Sequence, residues 1–234
     1  MFMTAAQHNR NQAASLAFLA GYVDTLGFVA LFGLFTAHVT GNFILIGSAL
    51  ADSSQMSILL KFLAFPAFVI GVAGARLFIA AIQKRNGAAL PWTMSLQLVF
   101  LVGFMVCGTI ATPVQSPSSG WGMAAGLLGT VAMGVHSAIS RLLLSHLAPT
   151  SLMTGNVTQV VIDTVDVLRG GADGATTERC MKFLWPVLSF GIGAIVAAFG
   201  YHALGFVALA LPIAILAVMV VSESARARAG VVAP

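Results

Sequence analysis

Two ionisable residues in this chain stand where ionisable residues are costly: Asp24 and His136 each lie inside a long apolar run. A carboxylate at the centre of a membrane helix costs about 2.5–3.5 kcal/mol on the insertion scale. Asp24 is therefore expected to face a cavity and hold a proton, a cation or a donor group of a solute; otherwise it caps the broken helix of the other half or pairs with Arg76 or Arg141. His136 can take up or release a proton near neutral pH, or serve as a hydrogen-bonded core residue. The second chemical feature is a triplet that occurs twice, Thr40-Gly41-Asn42 and Thr154-Gly155-Asn156, each opening a short apolar segment just after a long one. A helix starting there leaves backbone N–H groups unpaired at its positive end, and Thr and Asn side chains can cap them. Two such ends near the bilayer midplane make a polar site in an apolar wall. The expected substrate-binding set is Asp24, Thr40, Gly41, Asn42, His136, Arg141, Thr154, Gly155 and Asn156.

Other chemistry is weakly represented. The sequence has no GxSxG, phosphate-binding loop or HExxH pattern, so no catalytic residue is assigned. Metal-ligand spacing is missing among the histidines, cysteines and carboxylates, and no cofactor is expected. His38, His146 and His202 read as interfacial, Lys61 and Arg76 as snorkelling anchors, and Cys107 and Cys180 as free thiols.

The elements that must position these residues follow from composition. A chain of 234 residues that is 59% hydrophobic and 8% charged falls outside the soluble globular class. Its long apolar runs do not alternate as barrel strands do, so the fold class is an all-α polytopic membrane helix bundle. The net charge of +4 comes from basic residues scattered at segment ends, which points to the lipid bilayer as partner and away from nucleic acid.

Long segments are expected over residues 13–35, 58–82, 92–112, 121–141, 182–201 and 204–221, with short ones over 40–50 and 150–167. A polar break at 52–55 and a polar loop at 169–179 punctuate them. The division is a polar lead-in at 1–12, a first membrane repeat at 13–112, an external loop at 113–119, a second repeat at 120–221 and a tail at 222–234. In the repeat, Val23-Asp24 matches Val135-His136, and Lys61-Phe62-Leu63 with Pro66 and Gly71 matches Lys182-Phe183-Leu184 with Pro186 and Gly191. If neither short segment crosses the membrane, Arg10, Lys84, Arg85, Arg141, the 169–179 loop, Arg226 and Arg228 share one side. That satisfies the positive-inside rule with six spans, cytoplasmic termini and an inverted repeat, the short segments being re-entrant or broken helices.

At Gly21-Tyr22-Val23-Asp24 with Gly27-Phe28, followed by Thr40-Gly41-Asn42, the chain resembles the YoaK-like bacterial membrane proteins, a family of unknown function. The resemblance covers nearly the whole chain and implies a bacterial inner-membrane location, but no reaction. Where family members tend to carry Gln-Asn-Ala followed by Arg, this chain has His136-Ser137-Ala138 before Arg141.

The leading functional expectation is a transporter or channel for an unidentified small solute, as a monomer or homo-oligomer. Its motive is the pair of short segments with the intramembrane Asp24 and His136. A membrane-embedded enzyme acting on a lipid or isoprenoid, with Asp24 and His136 as acid and base, is the alternative, and the lack of a catalytic motif counts against it. A noncatalytic membrane partner or sensor, with the triplets purely structural, is the third reading.

Overall fold

In a computed structural model the chain is described over residues 4–51, 58–116, 118–171 and 173–230. The polar break expected at 52–55 lies outside the described residues. The elements are α1 (Ala5–Ala30), α2 (Gly41–Ala51), α3 (Ile58–Lys84), α4 (Ala89–Ala111), α5 (Gly120–Leu142), α6 (Met153–Leu168), α7 (Gly174–Leu204), a 3-10 turn (Gly205–Leu209) and α8 (Ala210–Arg228). No strand occurs among the described residues.

Among the described residues, five helical stretches are long and apolar enough to cross a membrane. The last of them, Gly174–Arg228, is folded over at the 3-10 turn into α7 and α8. Tyr22 fixes that turn from α1 by donating its hydroxyl to the Ala208 carbonyl at 2.9 Å. Gly205 begins the turn at φ 59°, a left-handed conformation in which a side chain is strained.

Apolar residues gain little from burial against each other when the surroundings are also apolar, so membrane helices associate where small residues let backbones approach. Two crossings are built this way. Gly21 of α1 lies against the Phe190 carbonyl of α7, while Gly193 of α7 lies against the Phe18 carbonyl of α1. Gly134 of α5 lies against the Phe68 carbonyl of α3, and Gly71 of α3 against the Val131 carbonyl of α5. A Cβ at any of the four would strike main chain, which cannot give way as a flexible side chain does. Gly191, matched to Gly71 by sequence, has open space around it; Gly193, two positions on, makes the close approach. On α4 and α5, Thr93, Thr109 and Thr130 satisfy themselves locally, each donating to the carbonyl four residues earlier.

α1 starts eight residues before the expected apolar onset, at Ala5 rather than 13. Thr4 and Gln7 form a reciprocal capping box there. Further along, Gln12 donates to Glu223 of α8 at 3.1 Å and His8 approaches the same carboxylate at 3.0 Å, so residues 5–12 of the polar lead-in are helix tied to α8. α1 stops at Ala30 because Phe32 and Gly33 adopt positive φ, and the Gly33 N–H turns back to the Phe28 carbonyl.

Contacts between helix ends order the bundle along its axis. The start of α1 meets the end of α8 through Gln12 and Glu223. It also shares a pocket with the α5–α6 connection and the start of α7. The start of α4 and the end of α8 line another pocket, through Trp92 and Arg228. Arg10, Arg85, Arg141, Arg179, Lys182 and Arg228 therefore gather toward one end of the bundle. At the opposite end the Lys61 ammonium, near the start of α3, donates to the Phe32 carbonyl just past α1 at 2.8 Å. The end of α1 and the start of α3 thus lie at the same end of the bundle. α6 packs back along α7, held by Arg179, which donates to both oxygens of the fully buried Asp163.

Candidate functional site

The segment after α1, residues 31–40, folds back alongside its own helix to the level of Asp24. One carboxylate oxygen, Oδ1, accepts the N–H groups of Thr36 at 2.8 Å and Ala37 at 2.7 Å, with longer contacts to the Thr36 hydroxyl and the His38 N–H. The other, Oδ2, lies 2.7 Å from His38 Nδ1. Asp24 is 4% exposed. A buried carboxylate is tolerable when its lone pairs are filled by donors, and here the donors are backbone groups that the break has released from helical pairing. Asp24 thus caps the break of its own half of the chain and pairs with His38, with neither Arg76 nor Arg141 as partner among its hydrogen bonds.

Asn42, one residue into α2, finishes this break. Its Oδ1 accepts the Phe35 N–H at 3.0 Å, its Nδ2 donates to the Phe35 carbonyl at 2.8 Å, and it is fully buried. Gly41 lies close under the Phe35 ring, where a Cβ would sit 3.0 Å from the ring and push it aside. Thr40 remains exposed.

The second break, residues 143–152, is held by different chemistry. Asn156 Nδ2 donates to the Pro149 carbonyl at 2.7 Å, reaching back seven residues as Asn42 does. Proline has no N–H, so the reciprocal bond that Phe35 gives Asn42 has no counterpart. His136 takes the place of Asp24: its Nε2 lies 2.9 Å from the Thr150 hydroxyl and its Nδ1 is 3.2 Å from Gln97 Nε2. The Thr150 N–H donates to the Ser140 hydroxyl at 3.4 Å. The far oxygen of Gln97 is buried without a hydrogen-bond partner among the described residues. Thr154 and Gly155 are exposed and away from this cluster.

The two breaks meet at a cavity of about 230 Å³. His38 and Thr40 come from the first break and Ser151 and Leu152 from the second, with Ser137, Ser140 and Arg141 from α5 and Phe68 from α3 closing it. The space suits a solute of a few heavy atoms or a handful of waters, taking about 30 Å³ per water. Ser137 donates to Ser151 across its edge at 3.3 Å. His38 engages Asp24 through Nδ1 and packs edge-on against Phe190 at 5.6 Å, while its Nε2 forms no hydrogen bond among the described residues. A carboxylate behind an imidazole fixes the orientation of the ring. The cavity is therefore furnished with a fixed guanidinium, an imidazole whose outer nitrogen can give or take a proton, and several hydroxyls.

Of the nine residues expected from sequence, Thr40 and Arg141 line this cavity. Asp24, Asn42, His136 and Asn156 lie in the layer that shapes the two breaks, and Gly41 lies under the Phe35 ring of the first. His38 was read as interfacial, and its role rests on a contact with Asp24 that forms only when the break folds back. Ser137 and Ser140 were expected from sequence only as hydroxyls able to add hydrogen bonds along a cavity, with nothing to mark them out, and Ser151 carried no signal.

The chain belongs to the family described as "Protein of unknown function (DUF1275)", which matches residues 12–222. It is similar to the UPF0700 transmembrane protein YoaK of Bacillus subtilis (strain 168), with 34% identity over 82 residues. That match covers 35% of this chain and 36% of the relative's length. No solved structure matches the chain.

Proposed function

We propose that this transmembrane protein is a small-solute transporter or channel whose pathway runs through the junction of the two breaks. The observation carrying the proposal is the cavity itself: His38 and Thr40 of one break face Ser151 and Leu152 of the other, with Arg141 at its edge. Irregular backbone at membrane depth persists where it is buried in protein or lines a wet cavity, and both conditions meet here. In this reading α1, α3, α4, α5, α7 and α8 are six spans, and α2 and α6 are re-entrant. The basic end faces the cytoplasm of a bacterial inner membrane, with both termini there.

An inverted repeat accounts for several pairings at once. Asn42 and Asn156 both reach back seven residues. Asp24 and His136 both hold a break threonine, Thr36 or Thr150. The glycine crossing of α1 with α7 has a counterpart in α5 with α3. Each half thus lends its first helix to the third helix of the other, an arrangement in which one half can rock against the other around a fixed site. Asp24 acts in this reading by holding His38, and His38 and Arg141 meet the solute.

The test is osmotic swelling of proteoliposomes with a panel of small polar and charged solutes. The proposal expects at least one solute to enter faster than in protein-free vesicles, with His38→Ala and Arg141→Ala slowing entry at least tenfold while the protein remains folded. Entry rates at the protein-free level for every solute in the panel would reject it. An enzyme using Asp24 and His136 together is not favoured, because each is committed to its own break.

A further inference from the structure

We infer that the pocket at the basic end of the bundle, between the start of α1, the α5–α6 connection and the start of α7, binds the phosphate headgroup of an anionic membrane lipid. The pocket measures about 620 Å³ and is separate from the junction cavity, although one connection borders both: His146, Leu147 and Ala148 line this pocket, and Pro149, Ser151 and Leu152 line the other. Three elements place nitrogen-bearing side chains on it: Arg10 from α1, His146 from the connection and Lys182 from α7. Arg10 stacks its guanidinium 5.7 Å over the Trp185 ring. Stacking orients the planar fork and leaves its N–H edge for a bidentate acceptor such as a phosphodiester. Glu178 also lines the pocket and is its one carboxylate among the described lining residues. It opposes a second negative charge, so the site suits a singly charged diester better than a multiply charged anion.

The source of that phosphate is indicated by what continues from the pocket. On α7, Met181, Trp185, Leu188, Ile192, Ile195 and Phe199 recur at three- and four-residue steps and are all exposed. They form an apolar track leading from the headgroup pocket along the bundle side, the shape an acyl chain would follow. Trp185 at the head of the track has the amphipathic character of residues at the membrane–water boundary. A soluble phosphate would use the pocket and ignore the track.

The occupied pocket also acquires a pH response. His146 sits below its ordinary value, pushed down by burial and then by the positive charges of Lys182 and His8. The groups facing it are His8 and Arg10 of α1, Glu178 and Lys182 of α7, and Glu223 of α8 through its bond to His8. A bound phosphate offsets that positive field and raises the histidine toward protonation, so binding is expected to tighten as pH falls from neutral through the histidine range.

The experiment uses the full chain with Trp92→Phe and Trp121→Phe, leaving Trp185 as the reporter. The protein in zwitterionic nanodiscs is titrated with phosphatidylglycerol, with phosphatidylcholine and with inorganic phosphate, reading Trp185 emission; native mass spectrometry counts retained lipids. The inference expects saturable change with phosphatidylglycerol, at least tenfold weaker binding by phosphatidylcholine and by phosphate, and at least tenfold loss in Arg10→Ala with Lys182→Ala. Glu178→Gln, at an exposed position, is expected to tighten binding severalfold and serves should the double variant fail to fold. Equal response to phosphatidylcholine, or no effect of Glu178→Gln, would overturn the site. Saturation by inorganic phosphate at equal or better affinity would overturn the lipid and leave a soluble-anion site.

Discussion

Replacing Asp24 with alanine is expected to unlatch the first break. The substitution strips acceptors from the Thr36 and Ala37 N–H groups, both held at under 2.9 Å, and from His38 at 2.7 Å. Each buried donor left unpaired costs about 1–3 kcal/mol, and a hydrogen bond to a charged group contributes about 1.5–3 kcal/mol. With Asp24 only 4% exposed, water has little access to make up the loss. Two orphaned donors and one lost charged bond sum to about 3.5–9 kcal/mol, large for a single substitution even at the lower bound. For a chain of this size each kcal/mol shifts the melting temperature by about 2–4 °C, so a loss of at least about 7 °C is expected. Asp24→Asn keeps one oxygen toward Thr36 and Ala37 and loses the charge toward His38, which corresponds to about 3–8 °C. The assay is thermal unfolding of purified protein in one detergent, with hydrogen exchange read at Thr36, Ala37 and His38. If Asp24→Ala melts within about 2 °C of the parent and those amides stay protected, the break is held by something other than this carboxylate.

Four further outcomes are expected. Asn42→Ala should cost about 1 kcal/mol more than Asn156→Ala by thermal unfolding, because Phe35 supplies an N–H that Pro149 lacks; equal costs would contradict the comparison. Gly21→Val and Gly134→Val should each abolish folded monodisperse protein, whereas Gly191→Val should leave it intact, as size-exclusion profiles can show. Arg179→Ala leaves the fully buried Asp163 carboxylate without its guanidinium and should release α6 from α7, seen as lost amide protection in α6 alone. Phosphatidylglycerol binding should tighten between pH 7 and pH 5.5 in the parent and lose that dependence in His146→Gln, monitored by Trp185 emission.

The long apolar helices were legible because hydropathy measures what the bilayer selects. Expected segments at 58–82, 92–112 and 121–141 differ by at most three residues at either end from α3, α4 and α5. The first helix was misjudged at both ends for opposite reasons. Residues 5–12 are polar yet helical because Gln12 and His8 have Glu223 to bind. Residues 31–35 are apolar yet not helical, since the break packs inside the bundle and hydropathy does not distinguish a buried turn from a buried helix. At α7 the polar residues 174–181 are helical, fastened by the Asp173 cap and by Arg179.

The site was half legible. The Thr-Gly-Asn triplets marked the helix starts, but the asparagine is the working residue of each, clamping the chain seven positions back. Asp24 was conspicuous because it is charged, whereas His38 gained its place only through folding, fourteen positions away in sequence. Arg141 and the serines meet the first break through a contact between halves of the chain, which composition and spacing do not encode.

The account rests on two re-entrant segments meeting at a solute-accessible junction, and labelling of introduced cysteines tests this most directly. In a background lacking Cys107 and Cys180, Phe32→Cys and Leu59→Cys should react with an impermeant maleimide from one side of the membrane. Ser145→Cys and Gly171→Cys should react from the other, and Thr40→Cys and Leu152→Cys should react with a small charged methanethiosulfonate. Labelling of Phe32→Cys and Leu59→Cys from opposite sides, or failure of the small reagent to reach either junction residue, would contradict the re-entrant pathway.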